Sequence, residues 1–91
     1  MGELKRMWYF YVLQSQKDPN YFYKGSTNDL KKRFSKHQAG KVVSTKPFLP
    51  CKLIYYEAYI NEEAVRLRES RVKMSGSVSV ALIKRIKDSL K

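Results

Sequence analysis

Cysteine, histidine, acid and long apolar runs are what this chain has least of. Cys51 is the only cysteine, so neither an intrachain disulfide nor a cysteine-based zinc site is possible. His37 is the only histidine, which removes any zinc-spaced histidine pair, and no glycine-rich phosphate-cradling loop is present. No apolar stretch approaches membrane-spanning length. The opening Met-Gly-Glu-Leu-Lys-Arg lacks a signal peptide's apolar run, and Arg6 stands where myristoylation wants Ser or Thr. A reducing cytoplasm and no membrane partner are the expectation. Acids are scarce as well: 8 Asp+Glu face 19 Lys+Arg, a formal net charge of +11. Such an excess costs self-repulsion in the folded state and attracts polyanions, and nucleic acid is the commonest reason a small domain tolerates it.

What is present fits one compact unit. Ninety-one residues, 43% apolar and 13% aromatic, suffice for a single domain, 1–91, with an economical core. Any site must therefore share elements with that core. Met7 to Leu13 is rich in aromatic and β-branched types, Lys-Asp-Pro-Asn then supplies turn chemistry, and Tyr21-Phe22-Tyr23 resumes strand character. An antiparallel hairpin follows from this. Thr27 or Asn28 is positioned to cap a helix with Asp29 in its first turn. Leu30, Phe34 and His37 then repeat at helical spacing to about Gln38, before Gly40. Residues 41–51 have the composition of a surface loop. Lys52 to Ile60 reads as a third strand. Asn61 caps a second helix with Glu62 and Glu63 in its first turn and Val65, Leu67 and Val72 as anchors. Gly76 is its expected stop. A third helix from about Val78 carries a stripe of Val78, Leu82, Ile83, Ile86 and Leu90. The order strand, strand, helix, strand, helix, helix predicts an α+β fold, a small three-stranded antiparallel sheet flanked by helices.

Four groups of residues could carry chemistry. Alternation sends Tyr9, Tyr11, Tyr21 and Tyr23 to one face of the hairpin, either as packing or as a stacking platform for bases. Arg33 and His37 lie one helical turn apart beside the apolar stripe. A guanidinium held there suits a phosphate clamp, although an ordinary basic helix face with Lys31, Lys32 and Lys36 reads the same way. Glu69 flanks the buried stripe of its helix. It is either a salt-bridge partner of Arg66, Arg68 or a lysine, or a hard-cation ligand holding Mg²⁺ or Mn²⁺ with several waters. Cys51 is expected to be a small buried apolar residue, with nothing to pair it with His37 as a nucleophile.

The order and spacing of Tyr9-Phe10-Tyr11, Tyr23-Lys24-Gly25-Ser26, Arg33, His37 and Glu69 resemble the GIY-YIG nuclease superfamily. The likeness runs from about Trp8 to Lys73. Leu67-Arg68-Glu69 followed by Val72-Lys73 is similar to the acidic motif of its small stand-alone bacterial members. Tyr9 stands in place of the first signature glycine and Lys24 in place of the second signature's isoleucine. No asparagine follows Asn61, where many members have one that helps hold the phosphate. The resemblance implies a metal-dependent endonuclease hydrolysing phosphodiester bonds in DNA, including structured or damaged DNA in repair or recombination. It gives catalytic roles to Tyr11, Tyr23, Arg33, His37 and Glu69. Glu69 would bind Mg²⁺ or Mn²⁺, Arg33 would hold the non-bridging oxygens, and Tyr23 would deprotonate or orient the attacking water. Tyr11 and His37 would complete the hydrogen-bond network, with His37 able to share the base role. Ser26, Lys24, Lys32 and Lys36 are the nucleic-acid contacts it implies. Two other classes compete: a basic module that binds DNA or RNA without cutting it, and a protein-interaction domain using its tyrosine-rich surface.

Overall fold

The computed structural model describes residues 6–90. Its elements run β1 (Trp8–Ser15), β2 (Phe22–Thr27), α1 (Leu30–Gln38), β3 (Cys51–Tyr59), α2 (Glu62–Met74) and α3 (Gly76–Ser89). This is the α+β order expected from the sequence. The sheet is antiparallel throughout, in the order β2-β1-β3. β1 is thus the central strand, and both of its faces are covered. Phe10 and Val12 point to one side and Tyr11 and Leu13 to the other, and all four are buried, as a run of bulky residues on a central strand requires.

Each face has its own core. On one side Phe10 and Val12 pack with Val65 and Val72 of α2 and Leu82 and Ile86 of α3. On the other, Tyr11, Leu13 and Cys51 are covered by Leu30 and Phe34 of α1 and by Phe48 and Leu49. Fully burying such a side chain stabilises the fold by roughly 1.5–3 kcal/mol. β2 and β3 are the edges.

Four local expectations are corrected. The α1 cap is Asp29, whose carboxylate accepts from the Lys32 amide; Thr27 instead binds the Asp29 backbone through its hydroxyl. Leu67 is 51% exposed, because two residues past Val65 is about 200° around a helix, the face opposite Val65 and Val72. Gly76 does not end α2. Ser75 closes α2 and caps α3, accepting from the Val78 amide, so that Gly76 becomes the first residue of α3. Leu90, the C-cap of α3, is 47% exposed. Asn61 caps α2 as read, accepting from the Ala64 amide ahead of Glu62 and Glu63. Gly40, at φ 74°, follows α1 in the left-handed region that glycine adopts without strain.

A polar lock joins β3 to α2. Tyr55, Glu57 and Tyr59 alternate onto the α2 side of the strand. The Glu57 carboxylate takes both phenol protons and a two-pronged Arg68 guanidinium at 2.9 Å on each oxygen. Burial opposes ionisation of Glu57, yet Arg68 and the two phenols outweigh it and hold its carboxyl below the usual range. Glu57→Ala should therefore cost about 2–4 kcal/mol of unfolding free energy, since a part-buried cation and two hydroxyls lose their acceptor at once. Urea titration of the variant against wild type measures this. Among the described residues, no helix is long and apolar enough to cross a membrane.

Candidate active site

Three stretches of chain meet over the middle of β2. The register sets Tyr11 of β1 opposite Gly25 of β2, and alternation places Tyr23 on the same side. A Cβ at position 25 would lie 2.8 Å from the Tyr11 hydroxyl oxygen, 2.9 Å from Tyr11 Cζ and 2.9 Å from the Tyr23 ring. The glycine is therefore what lets the two rings close over the strand. Their centroids stand 6.1 Å apart.

From above, α1 lowers two side chains onto these phenols. His37 has no exposed surface. Its Nε2 is 2.8 Å from the Tyr11 hydroxyl, and its ring meets the Tyr23 ring edge-on with centroids 4.8 Å apart. Arg33, one turn earlier, donates from Nε to the Tyr11 oxygen at 3.3 Å. Arg33 also lines a cleft of about 230 Å³ together with Thr27, Asn28, Asp29, Lys32 and Lys36. A cleft with three basic side chains on one wall concentrates positive potential where an anion can enter.

Burial governs the titration of this cluster. Removal from water pushes the Tyr11 phenol up to about 12, although the Arg33 hydrogen bond pulls the other way. Burial, and then the charge of Arg33, brings His37 down to about 4. Both groups are neutral at pH 7. A histidine that stays neutral in the fold but takes up a proton when unfolded lowers stability as pH falls. The window opens near the ordinary value of 6.5 and closes near 4. Wild type should lose up to about 3 kcal/mol across it. A His37→Asn variant, less stable at pH 7, should show a much flatter slope in the same window when denaturation is followed from pH 7 to pH 5.

Glu69 reaches β2 from the other side. Ser26, the next residue after Gly25, alternates toward α2 and donates its hydroxyl to Glu69 Oε1 at 2.6 Å. Oε2 accepts from Lys73 Nζ at 2.7 Å. Burial opposes its charge, but Lys73 and then Ser26 outweigh that and keep the carboxyl ionised below the usual range. Of the three cations weighed from the sequence, the lysine is the partner: Arg66 pairs with Glu62 and Arg68 with Glu57.

Tyr11, Tyr23, Arg33 and His37 thus touch one another directly, Lys32 and Lys36 join Arg33 at its cleft, and Ser26 carries Glu69. The acid is joined to the phenols through one strand, with Gly25 facing one group and Ser26 the other. Glu69 and Ser26 do not line the Arg33 cleft. Lys24, half-buried on β2, does not line the Arg33 cleft. Tyr9 and Tyr21 stand apart from the cluster: Tyr9 packs edge-on to Tyr56, and Tyr21 stacks on Phe48 with its hydroxyl on the Ser44 carbonyl. One participant carried no periodic signal. Thr45, inside the stretch read as a surface loop, is fully buried with Oγ1 2.8 Å from His37 Nδ1.

The GIY-YIG catalytic domain model matches residues 7–76. The chain belongs to the GIY-YIG family. Relatives include UPF0213 proteins of Streptococcus pyogenes serotype M5 (strain Manfredo) and serotype M28 (strain MGAS6180). Each is 41% identical over 66 residues, spanning 71% of this chain and 70% of the relative. A serotype M3 relative (strain SSI-1) shows the same identity and coverage. No solved structure matches. The phenol–arginine–histidine cluster over Gly25 therefore sits in a GIY-YIG catalytic domain, the class of domain that hydrolyses phosphodiesters.

The donor set also bears on a divalent ion. Among the described residues, no group of three or more His, Cys, Asp and Glu gathers into a ready-made cage. A single ionised carboxylate at Glu69, with one oxygen held by Ser26 and the other by a half-exposed surface lysine, fits a small hard cation that keeps its waters and uses substrate phosphate as a further ligand. The Lys73 partner is half-exposed, so the pair is of the weak surface kind.

Proposed function

We propose that this protein is a divalent-metal-dependent endonuclease acting on DNA, with branched, flapped or damaged duplexes of repair or recombination as its substrates. The observation that carries this reading is the Tyr11–His37–Arg33 chain closed over Gly25, one residue from the Ser26–Glu69 pair.

Each side chain has a distinct task. Arg33 gives Nε to the Tyr11 oxygen and also hydrogen-bonds to Tyr23, and the part of its fork that lines the cleft faces the non-bridging oxygens of a phosphate there. Lys32 and Lys36 hold the flanking backbone, and Lys24 contacts nucleic acid from the Ser26 side of β2. Tyr11 and His37 are neutral hydrogen-bonding scaffold. With His37 brought down to about 4, the imidazole is a poor proton acceptor at neutral pH. Tyr23, which faces the same cluster, orients the attacking water. Glu69 would hold Mg²⁺ or Mn²⁺, and such an ion, when bound, neutralises phosphate charge and stabilises a leaving 3′ oxygen.

Purified protein incubated with Mg²⁺ or Mn²⁺ should nick supercoiled plasmid and cut branched or flapped oligonucleotides, and chelator should stop it. Salt-sensitive DNA binding without cleavage under any divalent ion would overturn this reading and leave a basic binding module.

A further inference from the structure

The Tyr11 hydroxyl lies between two nitrogens with different capacities. Arg33 Nε can only donate, so the phenol oxygen accepts from it. His37 Nε2, 2.8 Å away on its other side, donates or accepts according to which ring nitrogen carries the proton. That choice is made at the far end of the imidazole, where Nδ1 meets Thr45 Oγ1 at 2.8 Å.

Thr45 is poorly explained as anything but a partner for this ring. It precedes the 3₁₀ turn Lys46–Phe48, yet its side chain makes no capping hydrogen bond there. It has no exposed surface, and a buried hydroxyl must be satisfied. Its hydroxyl has the Val42 carbonyl as an acceptor at 3.4 Å, which frees its oxygen to accept from His37 Nδ1.

We infer that Thr45 is a positioning residue: by fixing the His37 proton on Nδ1, it makes Nε2 an acceptor, turns the Tyr11 proton toward the imidazole and presents the phenol's lone pairs to Arg33. Donation then runs in one direction, from Arg33 to Tyr11, His37, Thr45 and the Val42 carbonyl. The consequence at the cleft is geometric. With the Tyr11 proton turned away, Arg33 Nε is held, and the guanidinium fork is pre-set for a phosphate. In the opposite tautomer Nε2–H would donate to Tyr11, and the phenol proton would be driven out toward the arginine and the second tyrosine. The neutral state this requires agrees with the burial of the ring and the neighbouring guanidinium charge. The consequence for catalysis rests on the nuclease reading above; the tautomer does not.

His37 is the only histidine in the chain, so the imidazole nitrogen shifts of uniformly labelled protein report it without ambiguity. Wild type at pH 7 should show the proton on Nδ1. Thr45→Val, which keeps the branched shape but has no hydroxyl, should lose that state for a mixture or for the Nε2–H form. Cleavage by it should fall about 10- to 100-fold with DNA affinity unchanged. Thr45→Ser should restore both the tautomer and most of the rate. An Nε2–H tautomer in wild type would overturn the inference, as would Thr45→Val with the Nδ1–H form unaltered. Equal rate loss in the Val and Ser variants, tracking stability alone, would overturn it too. If wild type cleaves no substrate, the nuclease reading fails while the shifts still decide the tautomer. If Thr45→Val does not fold, wild type and Thr45→Ser decide it.

Discussion

Glu69→Ala is expected to abolish nicking, with a loss of at least about a thousandfold, while leaving the fold and DNA affinity nearly intact. The separation between these readouts follows from where the acid sits. Its partners are a serine hydroxyl and a half-exposed lysine, so truncation leaves no buried cation stranded. Loss of a surface pair of this kind costs at most about 1 kcal/mol. A chain already at +11 loses one negative charge, so DNA affinity should hold or rise slightly. Glu69→Gln keeps an acceptor for Ser26 and should be as inactive, which separates the need for charge from the need for shape. Nicking rate, DNA Kd and urea midpoint, measured on the same preparations, test all three claims. Activity that survives both Glu69→Ala and chelator would remove Glu69 from the mechanism.

Gly25→Ala should damage both stability and activity. The added methyl would sit under 3.0 Å from Tyr11 and Tyr23 atoms, closer than nonbonded carbon and oxygen tolerate. Neither ring can simply swing away. Tyr11 is buried and pinned by His37 and Arg33, and Tyr23 abuts both Tyr11 and His37. Over-packing of this kind costs about 1–3 kcal/mol. Displacing the phenol by even part of an ångström breaks the bond that holds Arg33, so cleavage should fall by about 100-fold. The effect is purely steric, since residue 25 is not in the left-handed region. Gly76→Ala is the matched control. A Cβ there meets nothing within 4 Å, and the variant should be neutral or slightly more stable. Equal behaviour of the two variants in urea titration and nicking assays would refute the close-packing explanation of Gly25.

Much of the fold was legible locally. Aromatic and β-branched runs marked β1 and β3, Asn61 with Glu62 and Glu63 marked the start of α2, and the stripe of Leu82 and Ile86 marked the buried side of α3. These signals are readable because each depends on neighbours within a few residues. The structure overrides the local pattern at three positions. Leu67 is apolar by type but faces water because helical rotation carries it off the Val65–Val72 stripe. Gly76 looked like a helix stop, but Ser75 beside it satisfies the amides of the following helix and the glycine is absorbed. Asp29 reads as a first-turn acid of α1, where its charge suits the dipole, but its carboxylate accepts from the Lys32 amide and so serves as the cap itself.

The candidate site divides along the same line. Tyr11, Tyr23, Arg33, His37 and Glu69 are the residues that the resemblance to GIY-YIG nucleases picks out, carried by their order along the chain. Spacing does not reveal that Glu69 meets Ser26 across 43 residues, that Tyr11 meets His37 across 26, or that Glu57 gathers Arg68 and two phenols. Nor does it show that Thr45, in a stretch without period, seals the back of the imidazole. Residue types, charge and element order were set by the sequence because helix and strand patterns act over a turn or a pleat. Which groups share a hydrogen bond, which acid pairs with which cation, and which glycine lies under two rings were decided only when β2 closed against β1 and helices packed on both faces. Those contacts come from chain crossings that no local pattern encodes.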